Sequence, residues 1–87
     1  MVNAKFFVYI LQSLVDNNHY TGYTENLEKR IKRHNEGYVR STRKRKPFKL
    51  IYFEEFNTKK EAQDRERYLK SGWGRKYLKA KLQKMAR

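Results

Sequence analysis

The 87-residue chain contains no cysteine. Disulfides and thiolate metal sites are therefore excluded, and nothing points to an oxidising, secreted setting, so a cytoplasmic place is expected. Long apolar runs are missing too. No stretch approaches the roughly 18 residues of a membrane span, and no membrane role is expected. The N-terminal segment MVNAKFFVYIL has one lysine and a short apolar run. That run is too short for the apolar core of a signal peptide with its cleavage site, and reads as a first strand. Proline occurs once and glycine four times, with no repeat, linker or low-complexity tract beyond one basic loop. At this length a single domain over residues 1–87 is expected.

Acid is the scarcest of the charged classes. Nine Asp and Glu stand against 22 Lys and Arg, a formal net charge of +13. Such an excess implies a polyanionic partner, nucleic acid before anything else; a merely basic, soluble surface is the bland alternative. A membrane-surface helix is disfavoured, because no predicted helix sets a basic face against a continuous bulky apolar one. The charge is also unevenly spread. Glu66 is the last acid, and the residues after it include eight basic ones. Arg40, Arg43, Lys44, Arg45 and Lys46 fall within seven positions. These five are candidate phosphate contacts, which set affinity rather than sequence choice.

Hydrophobic residues make up only 38%, but aromatics reach 15%, and their large apolar areas make a small core feasible. Phe6 to Leu11 reads as a strand. Asp16-Asn17-Asn18 supplies turn chemistry, and His19 to Thr24 completes a hairpin. Asn26 to Glu36 reads as a helix stopped by Gly37. Residues 38–47 form the basic loop, and Leu50 to Phe56 a third strand with alternating faces. Thr58 opens a second helix through a Thr58-x-x-Glu61 capping-box pattern, which stops near Gly72. Trp73 to Met85 forms a third helix with Leu78, Leu82 and Met85 on one stripe. The order β-β-α-β-α-α predicts an α+β domain: a small, three-stranded, mainly antiparallel sheet packed with three helices.

Helical geometry picks out the polar residues on costly faces. With Leu27 at zero, Ile31 falls at about 40°, and Lys29, Lys32, Arg33 and Glu36 fall on the far side at about 140–240°. Arg30 at about 300° and His34 at about 340° flank the apolar stripe. In the second helix, with Ala62 at zero, Leu69 lies at about 340° and Glu66 at about 40°. A carboxylate on the apolar side is costly unless paired or metal-bound. Glu66 therefore either salt-bridges a basic neighbour or ligates a divalent cation at a phosphate site. Tyr9 and Tyr20, on adjacent strands, can share a sheet face, although strand tyrosines are usually core residues. Gly22 inside a strand implies close approach by another group. His34 alone is more often a packed histidine than a catalyst.

These positions together resemble the GIY-YIG nuclease superfamily. Phe7-Val8-Tyr9 matches the first half-motif and Tyr20-Thr21-Gly22 the second. The run from Tyr20 to Arg30 has the family's spacing to its helical arginine, His34 matches a position that is His or Tyr in several members, and Glu66 falls at the metal-binding glutamate. The resemblance covers Phe6 to Leu82 and is nearest to small stand-alone bacterial proteins that resemble the N-terminal incision domain of the excinuclease C subunit. Phe7, Val8 and Thr21 replace Gly, Ile and Ile of the half-motifs, which keeps the strands and touches no catalytic group. Tyr23 stands where repair enzymes carry a lysine, and no asparagine occurs after Asn57, where several members use one.

The resemblance implies a metal-dependent endonuclease of low sequence specificity, acting on DNA in repair or recombination. Glu66 would hold one Mg²⁺ or Mn²⁺, since several convergent carboxylates would be needed for two. Arg30 would clamp a phosphate oxygen. Tyr9 would act as base or proton relay, given a phenol pKa lowered by the metal and Arg30, with Tyr20 holding water or phosphate and His34 supporting Tyr9 or sharing the base role. Gly22 would let the substrate backbone approach, and Tyr23 and the basic loop would contact it. Tyr38 and Trp73 could stack on bases, with core packing the better expectation for Trp73. Two other readings stand beside this: a non-catalytic nucleic-acid-binding module, and an accessory subunit of a larger repair or RNA-processing complex.

Overall fold

The computed structural model describes residues 5–85; the first four residues of the N-terminal segment weighed above lie outside them. Strand β1 (Phe6–Ser13) runs between β2 (His19–Thr24) and β3 (Phe48–Phe56), antiparallel to both. Its continuous apolar run is explained by burial on both sides. Val8 and Ile10 pack with Ala62, Leu69 and Leu78, whereas Tyr9 and Leu11 pack with Phe48, Tyr20, Leu27 and Ile31. Helix α1 (Leu27–Asn35) thus covers one face, and α2 (Lys59–Lys70) with α3 (Gly72–Met85) the other. This is the α+β arrangement and element order predicted from sequence.

Local chemistry sets the boundaries. The Asp16 carboxylate accepts from the Asn18 N–H at 2.9 Å, and Asn17 takes φ 61°, a left-handed conformation that asparagine tolerates in a turn. Asn26 caps α1 by accepting from the Lys29 N–H at 3.0 Å, and Gly37 leaves the helix at φ 84°. Thr58 caps α2 by accepting from the Glu61 N–H at 3.1 Å, and its hydroxyl donates to the Glu61 carboxylate at 3.0 Å.

Strand β3 departs from the simple alternation expected for Leu50 to Phe56. Ile10 faces Tyr52, but Leu11 faces Leu50, so Ile51 is an extra residue opposite β1. This bulge lets Ile51 and Tyr52 both join the core on the α2 side, while Leu50 packs on the α1 side. Three residues on, Glu54 anchors α2: Arg65 donates to its two carboxylate oxygens at 2.7 and 3.0 Å. The guanidinium also lies over the rings of Tyr68 and Tyr77, 5.1 and 4.9 Å from their centroids. Burial is the largest influence on Glu54 and opposes ionisation, but the Arg65 fork, the Tyr52 hydroxyl and the Lys81 charge together outweigh it and hold the carboxyl below its usual range.

Trp73, expected in the core, is 75% exposed. α3 docks through Gly74 and Leu78, both buried, while Leu82 is half-buried and Met85 exposed. A side chain at Gly74 would overlap the Tyr68 carbonyl oxygen and lie 2.5 Å from the Leu69 Cα. The α2–α3 corner therefore closes on a bare backbone, which turns the neighbouring indole outward. No described helix is long and apolar enough to cross a membrane. Gly74→Ala is expected to lower unfolding stability by about 1–3 kcal/mol through overpacking, measured by urea denaturation. Gly72→Ala, where nothing lies within 4 Å of an added Cβ, is expected to cost nothing.

Candidate active site

Tyr9 is fully buried at the centre of β1, directly opposite Gly22 of β2. A Cβ on Gly22 would lie 2.6 Å from the Tyr9 hydroxyl oxygen and 2.8 Å from its Cζ. The glycine therefore makes room first for the phenol of Tyr9, a role not seen from sequence, where the approach of substrate backbone was expected. The Tyr9 hydroxyl accepts from Arg30 Nε at 3.2 Å and lies 3.1 Å from His34 Nε2. His34 Nδ1 lies 2.7 Å from the Thr42 hydroxyl, and that hydroxyl donates to the Val39 carbonyl at 3.3 Å.

The order of donors follows. Thr42 spends its one proton on Val39, so its oxygen accepts from Nδ1–H of His34. Nε2 is then the lone-pair nitrogen and accepts the Tyr9 proton. Arg30, Tyr9, His34, Thr42 and the Val39 carbonyl thus form one directed chain, and no buried side-chain polar atom lacks a partner among the described residues. The ring of Tyr20 joins this network at 6.3 Å from Tyr9 and 5.0 Å from His34, centroid to centroid, and is itself only half-buried.

The electrostatics match the geometry. Burial, helped by the Arg30 charge, pushes His34 down to about 4. Burial also raises the Tyr9 phenol above its usual range, against the hydrogen bond and charge of Arg30; Tyr20 and Glu66 push the same way as burial. At Tyr9 desolvation outweighs the guanidinium; the lowering expected from sequence is tied to a bound metal as well as to Arg30. Arg30 is held more firmly cationic, chiefly by its bond to Tyr9.

Glu66 occupies the partly buried position expected from its angle on α2. Its side chain is 21% exposed and accepts from Lys70 Nζ at 3.1 Å. The salt-bridge alternative is thus realised one turn along the same helix. Such i,i+4 pairs contribute only about 0.3–0.5 kcal/mol, far too little to hold a carboxylate against a divalent ion.

The remaining candidates divide. Arg40, Arg43, Lys44 and Lys46 are exposed on the basic loop, and Tyr38 beside them is 69% exposed. Arg45 is engaged, donating to Asp16 at 3.0 Å and lying over the Phe48 ring. Tyr23 packs against the core on the α2 side, and its hydroxyl accepts from Gln63 at 3.0 Å. Thr42 had no signal in sequence: it is one polar residue inside a basic loop.

A neutral buried histidine makes stability depend on pH. The folded-state pKa lies below the unfolded value of about 6.5. The native state therefore refuses a proton that the unfolded chain binds, and stability falls as pH drops from 6.5 toward 4. The loss expected across that window is on the order of 3 kcal/mol. Thermal unfolding from pH 7 to 4.5 checks it, with His34→Gln expected to flatten the dependence. NMR of the ring should show Nδ1 protonated and Nε2 bare at pH 6.

A family model described as the GIY-YIG catalytic domain matches residues 5–80. A UPF0213 protein of Clostridium perfringens is 57% identical over 65 residues, covering 74% of this chain and 69% of the relative. The UPF0213 protein YazA of Bacillus subtilis is 45% identical over 71 residues, covering 80% and 71%. The solution NMR structure of a UPF0213 protein from Bacillus halodurans is 37% identical with a TM-score of 0.54, covering 87% of this chain and 83% of that one. On the match over residues 5–80, the chain belongs to the GIY-YIG catalytic-domain family.

Proposed function

We propose that this protein is an endonuclease that hydrolyses DNA phosphodiesters with little sequence preference and the help of one divalent cation. The observation that carries the reading is the convergence of Tyr9, Arg30 and His34 on one hydrogen-bonded network, with the Tyr20 ring packed against Tyr9 and His34. Its donor set suits a single ion. Among the described residues no three His, Cys, Asp or Glu side chains converge, so Glu66 would supply one ligand, leaving phosphate oxygens and water for the rest, a pattern that Mg²⁺ or Mn²⁺ accepts. When bound, the cation supplies charge stabilisation at the phosphoryl and leaving oxygens.

The chain's own residues do the rest. Arg30 spends Nε on Tyr9, which aims its terminal N–H groups, beside Tyr20, at a non-bridging phosphate oxygen. Tyr9 works as a relay: it takes a proton from the attacking water while passing its own to His34 Nε2, so no free phenolate forms. A phosphate paired with Arg30 also cancels part of the charge that depresses His34, making the imidazole more basic in the complex. Tyr20, the more exposed tyrosine, holds the water and phosphate. Arg40, Arg43, Lys44 and Lys46 grip the DNA backbone, and contacts of that kind carry no sequence information.

With plasmid and branched DNA in Mg²⁺ or Mn²⁺, wild type is expected to nick. Arg30→Ala and Glu66→Ala are expected to lose about 100-fold or more, and Arg30→Lys to remain impaired because a point charge cannot replace the fork. Glu66→Ala is expected to keep its DNA affinity. Equal nicking by the variants, or none by wild type, would sink the nuclease reading. The Lys70–Glu66 pair gives a second reading its footing: a nucleic-acid-binding module in which Glu66 is structural. Under that reading binding persists in EDTA and no condition restores cutting.

A further inference from the structure

Along the free edge of β2, between that strand and α3, runs a cleft of about 910 Å³ that the reaction scheme does not use. Leu69, Leu78 and Leu82 form its floor, Lys70, Arg75 and Lys79 its rim, and no lining residue is acidic. Its size falls in the range of sites that enclose a small organic group. Phosphates alone would need only the rim. An open apolar floor beneath a cationic rim fits a ligand with a flat apolar body and an anionic edge, which describes a nucleotide.

The cleft is also continuous with the candidate active site. Tyr20 lines it while its ring packs 5.0 Å from His34. Lys70 lines it while holding Glu66 at 3.1 Å. A base stacked and paired inside a duplex shows no face to such a floor, so the occupant must be unpaired. We propose that the cleft holds an unpaired base of the strand whose phosphate lies between Arg30 and Glu66, making single-stranded, flapped or bulged nucleic acid the preferred substrate. The position of the phosphate rests on the nuclease reading; the base site is tested by binding alone.

The test uses two strands of equal length and charge, an oligothymidine and one whose central nucleotides are abasic, with fluorescence anisotropy in EDTA. A purely electrostatic grip binds both equally. Wild type is expected to bind the oligothymidine about tenfold more tightly. Leu82→Gln is expected to erase that preference, and the milder truncation Leu82→Ala to reduce it about threefold, with thermal unfolding verifying that each variant is folded. Trp73 is exposed and stacked by Lys76 at 5.3 Å, and it does not line the cleft; Trp73→Ala is expected to keep the preference. Equal binding of the two strands by wild type overturns the proposal. So does a preference that survives Leu82→Gln, or one that disappears with Trp73→Ala, which would place the bases on the outer face of α3. A base preference without nicking in Mg²⁺ leaves the cleft standing and removes the nuclease reading; nicking without a base preference does the reverse.

Discussion

A phenol buried at the middle of a three-stranded sheet needs a space to stand in and partners for its hydroxyl. Much of this molecule answers those two needs at Tyr9. Gly22 provides the space across the strand pair. Arg30 donates to the hydroxyl and His34 accepts from it, which places both residues on the inward side of α1. His34 in turn needs a partner for its second nitrogen, and Thr42 supplies it. The basic loop is therefore tied to the site through its single buried hydroxyl. A second tie runs from Ser13, whose hydroxyl donates to the Arg45 carbonyl at 2.6 Å. A loop held at several points presents its exposed cations from a fixed base, which reduces the ordering cost of gripping a charged backbone.

The other face of the sheet has a different task, to hold one carboxylate, Glu66, partly buried on α2. Helix α2 is fixed to β3 by the Arg65–Glu54 fork and to α3 by the bare backbone at Gly74. Arg65 and Glu66 are neighbours, so the residue that anchors the helix also sets the azimuth of the one beside it. Removing the anchor would leave a partly buried carboxylate with the Tyr52 hydroxyl but without its counter-charge. The structural ion pair and the candidate chemical group are thus one positioning device with three side chains.

Much of this was legible in sequence because it follows from periodicity. The angles of Arg30 and His34 beside Leu27 and Ile31, and of Glu66 beside Ala62 and Leu69, are properties of a regular helix. That Tyr9 and Tyr20 share a sheet face follows from their places on adjacent strands. What was not legible depends on contacts between distant segments. The bulge at Ile51 arises from where Tyr52 and Leu50 must pack, Thr42 gains its role only when the loop folds over α1, and the outward Trp73 reflects the closeness of α2 at Gly74. The depth at which Tyr9 is buried belongs with these. Proximity to Arg30 could be inferred from spacing, but the depth of burial that outweighs it could not.

The contact between Tyr9 and Gly22 also limits how the sequence can drift. No side chain fits at position 22 while a large ring stands at position 9, and loss of the ring alone leaves a void lined by Arg30 and His34. Neither position can change freely by single steps. A lineage that abandoned the phenol would first pass through a hollowed, destabilised intermediate before a larger residue at 22 could refill the space. The two sites are coupled by volume as well as by any chemistry they share, and their substitutions should be strongly non-additive. A chain that had lost all activity could still keep both residues for a long time, held by packing alone.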